Sequence, residues 1–174
     1  FVQLDFGTSL QYNTPVIDHV RMKIFNSFIL IAPAITFTYI VGSILGTVFG
    51  SRRGSKTEQY GVISVIFGSA FPSFFVAIVL LIVFASWLNL FPISGLFTPD
   101  TVIKFQEASW WRPYATVDFL RHYTLPFFAI VIRYLAFPTL IMRTSVVEVM
   151  DQDFTFYHRM TGISSFRQFF HTAK

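Results

Sequence analysis

The sequence predicts an all-α protein: a bundle of helices that cross a membrane several times. Three observations carry this. Charged residues make up 13% of the 174 positions and hydrophobic ones 53%, whereas a soluble domain usually carries about 25% charged residues. Two long stretches, Ile24 to Gly50 and Gln59 to Pro99, hold no charge, and in a third, His122 to Met142, Arg133 is the only Asp, Glu, Lys or Arg. Each reaches the roughly 20 residues a helix needs to cross about 30 Å of hydrocarbon.

The same composition excludes several classes. The net charge of +4 is scattered along the chain, which does not make the basic stripe of a nucleic-acid binder. With no cysteine there are no disulfides and no thiolate metal sites. The four histidines lie far apart and form no ligand pair at helical spacing. Neither a metal, a cofactor nor a catalytic residue is expected. The chain opens on Phe1 without Met and closes in mid-pattern. Its first apolar run follows a mixed polar lead-in, so no signal peptide is visible. It reads as a fragment with at least one span missing on each side.

Residues 1–23 read as a water-exposed lead-in. Gly7, Asn13 and Pro15 mark turns. Val16, Ile17 and Val20 then form an apolar stripe beside Asp18, His19, Arg21 and Lys23. That pattern fits a helix on the membrane surface, or an ordinary amphipathic one. The first span runs over about 24–50. Pro33 lies inside it, a break that neighbouring helices can absorb in a bundle. Gly42, Gly46 and Gly50 recur every four residues, with Ser43 beside them. This spacing favours close helix contact over any ligand role.

Ser51 to Glu58, SRRGSKTE, is a basic turn. The string GSRRGSKT superficially resembles a phosphate-binding loop. That loop needs four residues between its glycines and Lys directly after the second. Here three residues separate Gly50 from Gly54, and Ser55 intervenes before Lys56. The second span, about 60–90, is one crossing broken near Pro72, since two crossings would need about 40 residues and a turn. A break at that depth is tolerated only against protein or a water-filled cavity. Gly68 to Phe75 is therefore a candidate pathway lining through Ser69, Pro72, Ser73 and Phe74. A packing kink without substrate contact is the other reading.

Trp87 and Phe91 sit where an interfacial aromatic belt would. An external loop follows over 91–121, carrying Trp110, Trp111 and Tyr114 among mixed charges. It is either a binding surface or a further interfacial helix anchored by its tryptophans. The third span covers about 122–142. Arg133, near its middle, has three possible partners: a substrate carboxylate, a carboxylate on a missing helix, or carbonyls freed by Pro138. The general rule for charges in spans favours a structural partner.

The last stretch, DFTFYHRMTGISSFRQFFHTAK from Asp153, reads as a short amphipathic helix, a glycine break and the start of a second helix. Hung between membrane helices, it is suited to a groove on a soluble partner. Arg52, Arg53, Lys56, Arg143, Arg159, Arg167 and Lys174 fall on one side of this arrangement. Arg21, Lys23, Lys104, Arg112 and Arg121 fall on the other. The excess puts the 51–58 turn and the tail in the cytoplasm.

Several of these strings resemble the permease subunits of ABC importers, in the dipeptide, oligopeptide and nickel branch. LDFGTSLQYNTPVIDHV resembles the branch's external segment, and GSRRGSKTE its first cytoplasmic turn. FPSFFVAIVLLIVFASWLNLFPISG resembles its proline-broken third helix and exit loop. LRHYTLPFFAIVI, MRTSVVEVMDQDF and RMTGISSFRQFFHTAK resemble its fourth helix and the loop that docks on the ATPase. In the family that loop reads Glu-Ala-Ala, three residues, then Gly. Here Gly162 fits the glycine, while Phe156, Tyr157 and His158 stand in the first three positions.

The resemblance implies a transmembrane domain over 24–174, three of about six spans, with a docking loop over 148–174. It implies docking through Asp153, Phe156, Tyr157, His158, Arg159, Gly162 and Phe166. The partners it implies are cytoplasmic ATP-binding subunits, a second permease subunit, an external solute-binding protein and the lipid bilayer of the cell (inner) membrane, with no nucleic acid. Peptides lead as substrate, with nickel or oligosaccharides as alternatives. A non-transporting membrane anchor or receptor is the competing class, and a secondary transporter a third.

Overall fold

A computed structural model describes residues 6–10, 14–105 and 109–150. The chain divides into two compact units, Phe1–Phe37 with Pro72–Val131, and Thr38–Phe71 with Ile132–Lys174. The described residues form helices joined by turns and loops, with no strand among them beyond one isolated antiparallel bridge between Thr8 and Pro15. Among them one helix is long and apolar enough to cross a membrane by itself. The number rises to three if each of two broken pairs is one span.

That helix is α1, Val16–Ser51, with Pro33 inside it. No helix end falls at 23/24: the expected surface stripe forms the first turns of α1 itself. Asp18 in the first turn faces the positive end of the helix dipole, and the polar residues up to Lys23 do not interrupt backbone bonding. Helix α2, Lys56–Ala70, ends where Phe71 and Pro72 both take extended backbone angles (ψ 146° for each). The break expected near Pro72 is thus present. The residue before a proline is biased away from the helical region, and Pro72 has no N–H to continue the ladder.

Helix α3, Ser73–Leu80, widens into a π-helical stretch, Leu81–Trp87. Asn89 closes it at φ 51°, with Leu90 N–H reaching back to Phe84 O at 2.9 Å. Asn is among the few residues that take this left-handed conformation readily. The loop that follows holds α4, Pro99–Lys104, and a 3-10 turn, Arg112–Ala115. The third stretch is longer than its apolar run. Helix α5 spans Val117–Tyr134 and α6 spans Ala136–Met150, parted at Leu135. Pro138 lies in the first turn of α6, where its missing N–H would have had no intrahelical partner anyway.

In the first unit, rings fill the space between helix and loop. Tyr114 stands edge-on to Phe25, Phe97 and Phe119, with centroids 5.2–5.3 Å apart. Phe25 also meets Trp110 at 5.1 Å. The row continues through Phe119, Tyr123 and Phe127 to Phe37. Asp118 ties the loop down, accepting from Thr98 N–H at 2.8 Å and from the Thr98 hydroxyl at 3.2 Å. Burial alone would raise the Asp118 carboxyl, but these bonds, with Thr101 and His122 nearby, hold it below its ordinary value.

In the second unit, the glycine stripe of α1 lies against α6. A Cβ on Gly42 would stand 2.5 Å from Pro138 Cγ, one on Gly46 2.7 Å from Met142 Cβ, and one on Gly50 2.8 Å from Val146 Cβ. Close contact of this kind is what the four-residue spacing predicts. Thr38 and Thr139 are fully buried beside it, 1% and 0% exposed. Thr139 satisfies its hydroxyl on its own helix, donating to Leu135 O at 2.7 Å.

Candidate functional site

The site begins with two helix ends that lack backbone partners. An α-helix leaves its last four carbonyls without intrahelical donors. At the end of α2 the carbonyl of Ser69 is one of these, because residue 73 starts a new helix beyond the break. Arg133 Nη1 donates to Ser69 O at 3.0 Å. At the α5–α6 break the bond lost is the one from Ala136 N–H to Ile132 O. The Ser69 hydroxyl occupies the gap, donating to Ile132 O at 2.9 Å and accepting from Ala136 N–H at 3.3 Å. A side chain inserted into the helical ladder is one of the recognised causes of a kink. Each break is therefore closed by a group from the other.

Arg133 thus has a structural partner, as the rule for charges in spans favours. The carbonyl it meets is Ser69's, freed by the Pro72 break, and not one freed by Pro138. The guanidinium carbon also lies 5.5 Å from the Tyr134 ring centre. Both Ser69 and Arg133 are half-buried. Gly68 packs beside them, where a Cβ would stand 3.3 Å from Ile132 Cγ2. Pro72, Ser73 and Phe74 open α3 and are exposed, Phe74 to 67%. A matching device occurs in the first unit. Pro33 removes the donor that Ile29 O would have had, and Tyr123 donates to that carbonyl at 3.1 Å.

A second cluster sits at the start of α2. Ser55 caps the helix, its side chain accepting from Glu58 N–H at 3.2 Å. Ser55 and Glu58 have the spacing of a capping box. Instead of turning back to the N-cap amide, Glu58 accepts from Gly54 N–H at 2.6 Å through Oε2. Gly54 sits at φ +79°, a conformation few other residues adopt. Arg143 of α6 donates to Oε1, with Nε at 2.8 Å and Nη2 closer still. Glu58 is 7% exposed. Its carboxyl is held below the usual carboxylate range by Arg143 first and the Gly54 amide second, against the opposing effect of burial.

Neither Glu58 nor its pairing with Arg143 was legible as a site, although the SKTE string carries the capping signature. Asp153, Phe156, Tyr157, His158, Arg159, Gly162 and Phe166 lie outside the described residues. Among the described residues no three His, Asp or Glu side chains converge as a metal site.

The profile of one protein family, described as binding-protein-dependent transport system inner membrane component, matches residues 39–173. The peptidoglycan transport system permease protein YejB of Agrobacterium fabrum is 28% identical over 166 residues, covering 94% of this chain and 44% of the relative. The metal-staphylopine import system permease protein CntB of Staphylococcus aureus is 27% identical over 173 residues, covering 99% and 49%. The oligopeptide transport system permease protein AppB of Bacillus subtilis is 27% identical over 171 residues, covering 97% and 50%. This chain spans about half the length of the curated relatives it matches.

Proposed function

The chain belongs to the family of binding-protein-dependent transport system inner membrane components, and on that premise we propose that it is part of the permease subunit of an ATP-driven importer for peptides. Inner-membrane, multi-pass placement follows from the family and the apolar helices. Peptide cargo is preferred because peptide or oligopeptide transport recurs in the names of the relatives.

The observation that carries the reading is the pair of broken helices closed by Ser69 and Arg133. Breaks at bilayer depth are tolerated where backbone is buried in protein or borders a water-filled path. A simple anchor has no need of them. Segment 68–75, with Ser69, Pro72, Ser73 and Phe74, is the proposed lining of the path, and Arg133 the group that holds its backbone in shape. ATP hydrolysis belongs to separate cytoplasmic subunits. The segment carrying Asp153, Phe156, Tyr157, His158, Arg159, Gly162 and Phe166 would seat in a groove on them. A second permease subunit completes the path, and an external binding protein delivers cargo. Closure of the ATPase pair would draw the docking segments together and turn the spans from inward- to outward-facing. A ligand shifts such an equilibrium only by its differential affinity for the two states, so docking must hold throughout the cycle.

The test is reconstitution of the full-length subunit in vesicles with its ATPases, second permease and binding protein. The expected result is peptide accumulation that needs ATP and every component. In the Gly162→Val variant accumulation falls while ATP hydrolysis continues uncoupled. Accumulation driven by an ion gradient alone, no accumulation at all, or normal coupling in Gly162→Val would each overturn the assignment.

A further inference from the structure

The Glu58 cluster reaches further than a helix cap requires. A capping box needs only Ser55 and Glu58, and a surface turn needs neither to be buried. Here Glu58 is 7% exposed, and its carboxylate joins its own helix α2 to two other parts of the chain. Gly54 of the turn after α1 donates to Oε2, and Arg143, deep in α6, donates twice to Oε1. A carboxylate accepting from a guanidinium through two N–H groups is fixed in direction as well as attracted. The same stretch of α6 is also clamped on its other side. Arg143 O stands 3.0 Å from where a Cβ on Gly50 would lie, and Val146 2.8 Å. Helix α6 then runs on to Met150, and the proposed docking segment begins directly after it.

We infer that the Glu58–Arg143 pair is a positioning device: it locks the 51–58 turn and α6 into one body, so that movement of the docking segment reaches α1 and α2 without slack. This rests on the proposed role of the 153–170 segment. The physical reason is that a pair whose carboxylate is buried and whose guanidinium is half-buried resists separation, since parting the two leaves the carboxylate without its partner in poor solvent. The glycine stripe prevents sliding along the helix, and the ion pair prevents it at the end. The pair does not touch cargo or nucleotide. It acts only through the helices it joins.

The test uses the full-length subunit, assembled with its partners and reconstituted. Glu58→Gln keeps the shape and one acceptor oxygen for the Gly54 amide but removes the charge. It is expected to assemble normally and keep basal ATP hydrolysis, while peptide imported per ATP falls about tenfold. A second variant, Glu58→Cys with Arg143→Cys on a background without other cysteines, is then compared before and after bridging by a short bis-thiol reagent. If the pair is a rigid tie, the open form is uncoupled and the bridged form regains import. Three results overturn the inference: unchanged import per ATP in Glu58→Gln, a bridged form that stays uncoupled, or a bridged form that blocks import, which would mean the elements must part during the cycle. Failure of the unmodified subunit to import anything would instead sink the permease assignment.

Discussion

In the unit formed by Phe1–Phe37 and Pro72–Val131, rings stand between the elements: Phe25, Trp110, Tyr114, Phe119 and Tyr123 meet edge to face or tilted. In the unit formed by Thr38–Phe71 and Ile132–Lys174, helices approach because side chains are missing, at Gly42, Gly46 and Gly50. Apolar burial gives little drive between helices in lipid, so packing and hydrogen bonds must hold them. The ring-filled unit has redundancy, since its central rings, Tyr114 and Phe119, each touch three others. The glycine-lined unit has none, since the backbone of α1 lies directly on the backbone and first side-chain atoms of α6, at Pro138, Thr139 and Val146, which have little room to give way. The two regions should therefore answer substitution very differently.

The largest difference is expected at Gly46. Any side chain there runs into the Thr139 carbonyl and Met142. Gly46→Leu should cost about 3 kcal/mol or more, at the upper end for overpacking, and yield little monodisperse protein. Phe127→Leu in the ring row should cost about 1 kcal/mol beyond its lost area. Thermal unfolding in detergent compares the two, and equal losses would break the contrast.

Next comes the closed pair of breaks. Arg133→Leu leaves Ser69 O without its donor, at about 1–3 kcal/mol for an orphaned polar group. Ser69→Ala opens the other break. Because the groups sit in one network, the double variant should be non-additive by about 0.5 kcal/mol or more. Strict additivity would mean the two breaks are independent.

The third effect depends on pH. The Glu58 carboxyl is held below its ordinary value of 4.5. Its contribution to stability is therefore present above that value and is lost as pH falls through the lower folded value. Melting temperature followed from pH 7 downward should drop more steeply in the unmodified protein than in Glu58→Gln, and parallel curves would remove the pair from the account. The smallest effect is expected in the ring-filled unit. Tyr123→Phe keeps the stacking and removes only the bond to Ile29 O, at about 0.6–1 kcal/mol.

Much of the glycine-lined unit could be read from the chain. Residues four apart share a helix face, so Gly42, Gly46 and Gly50 announce a close contact whatever they meet. Pro72 announces a break because it lacks an N–H. Arg133 announces a partner because a bare charge in lipid is costly. What could not be read is that the partner is Ser69 O, 64 residues away, or that Glu58 finds Arg143 across 85. The π-helical stretch after Leu80 left no mark either, as a widened turn changes the hydrogen-bond register without needing a particular residue. The start of α5 at Val117 escaped because hydropathy sees the apolar run and not the polar turn that precedes it.

The amino-acid sequence alone determined that this is an all-α membrane protein, where its apolar runs lie, where its helices must break and which face of α1 must pack closely. Those are local properties, set by hydropathy, by spacing along a helix and by the missing N–H of proline. Only the tertiary structure decided which side chain satisfies each freed backbone group and which base meets Glu58. Such pairings depend on geometry between segments far apart in the chain. An orphaned carbonyl states that a donor is required, but every donor of suitable length is equivalent until the helices are packed.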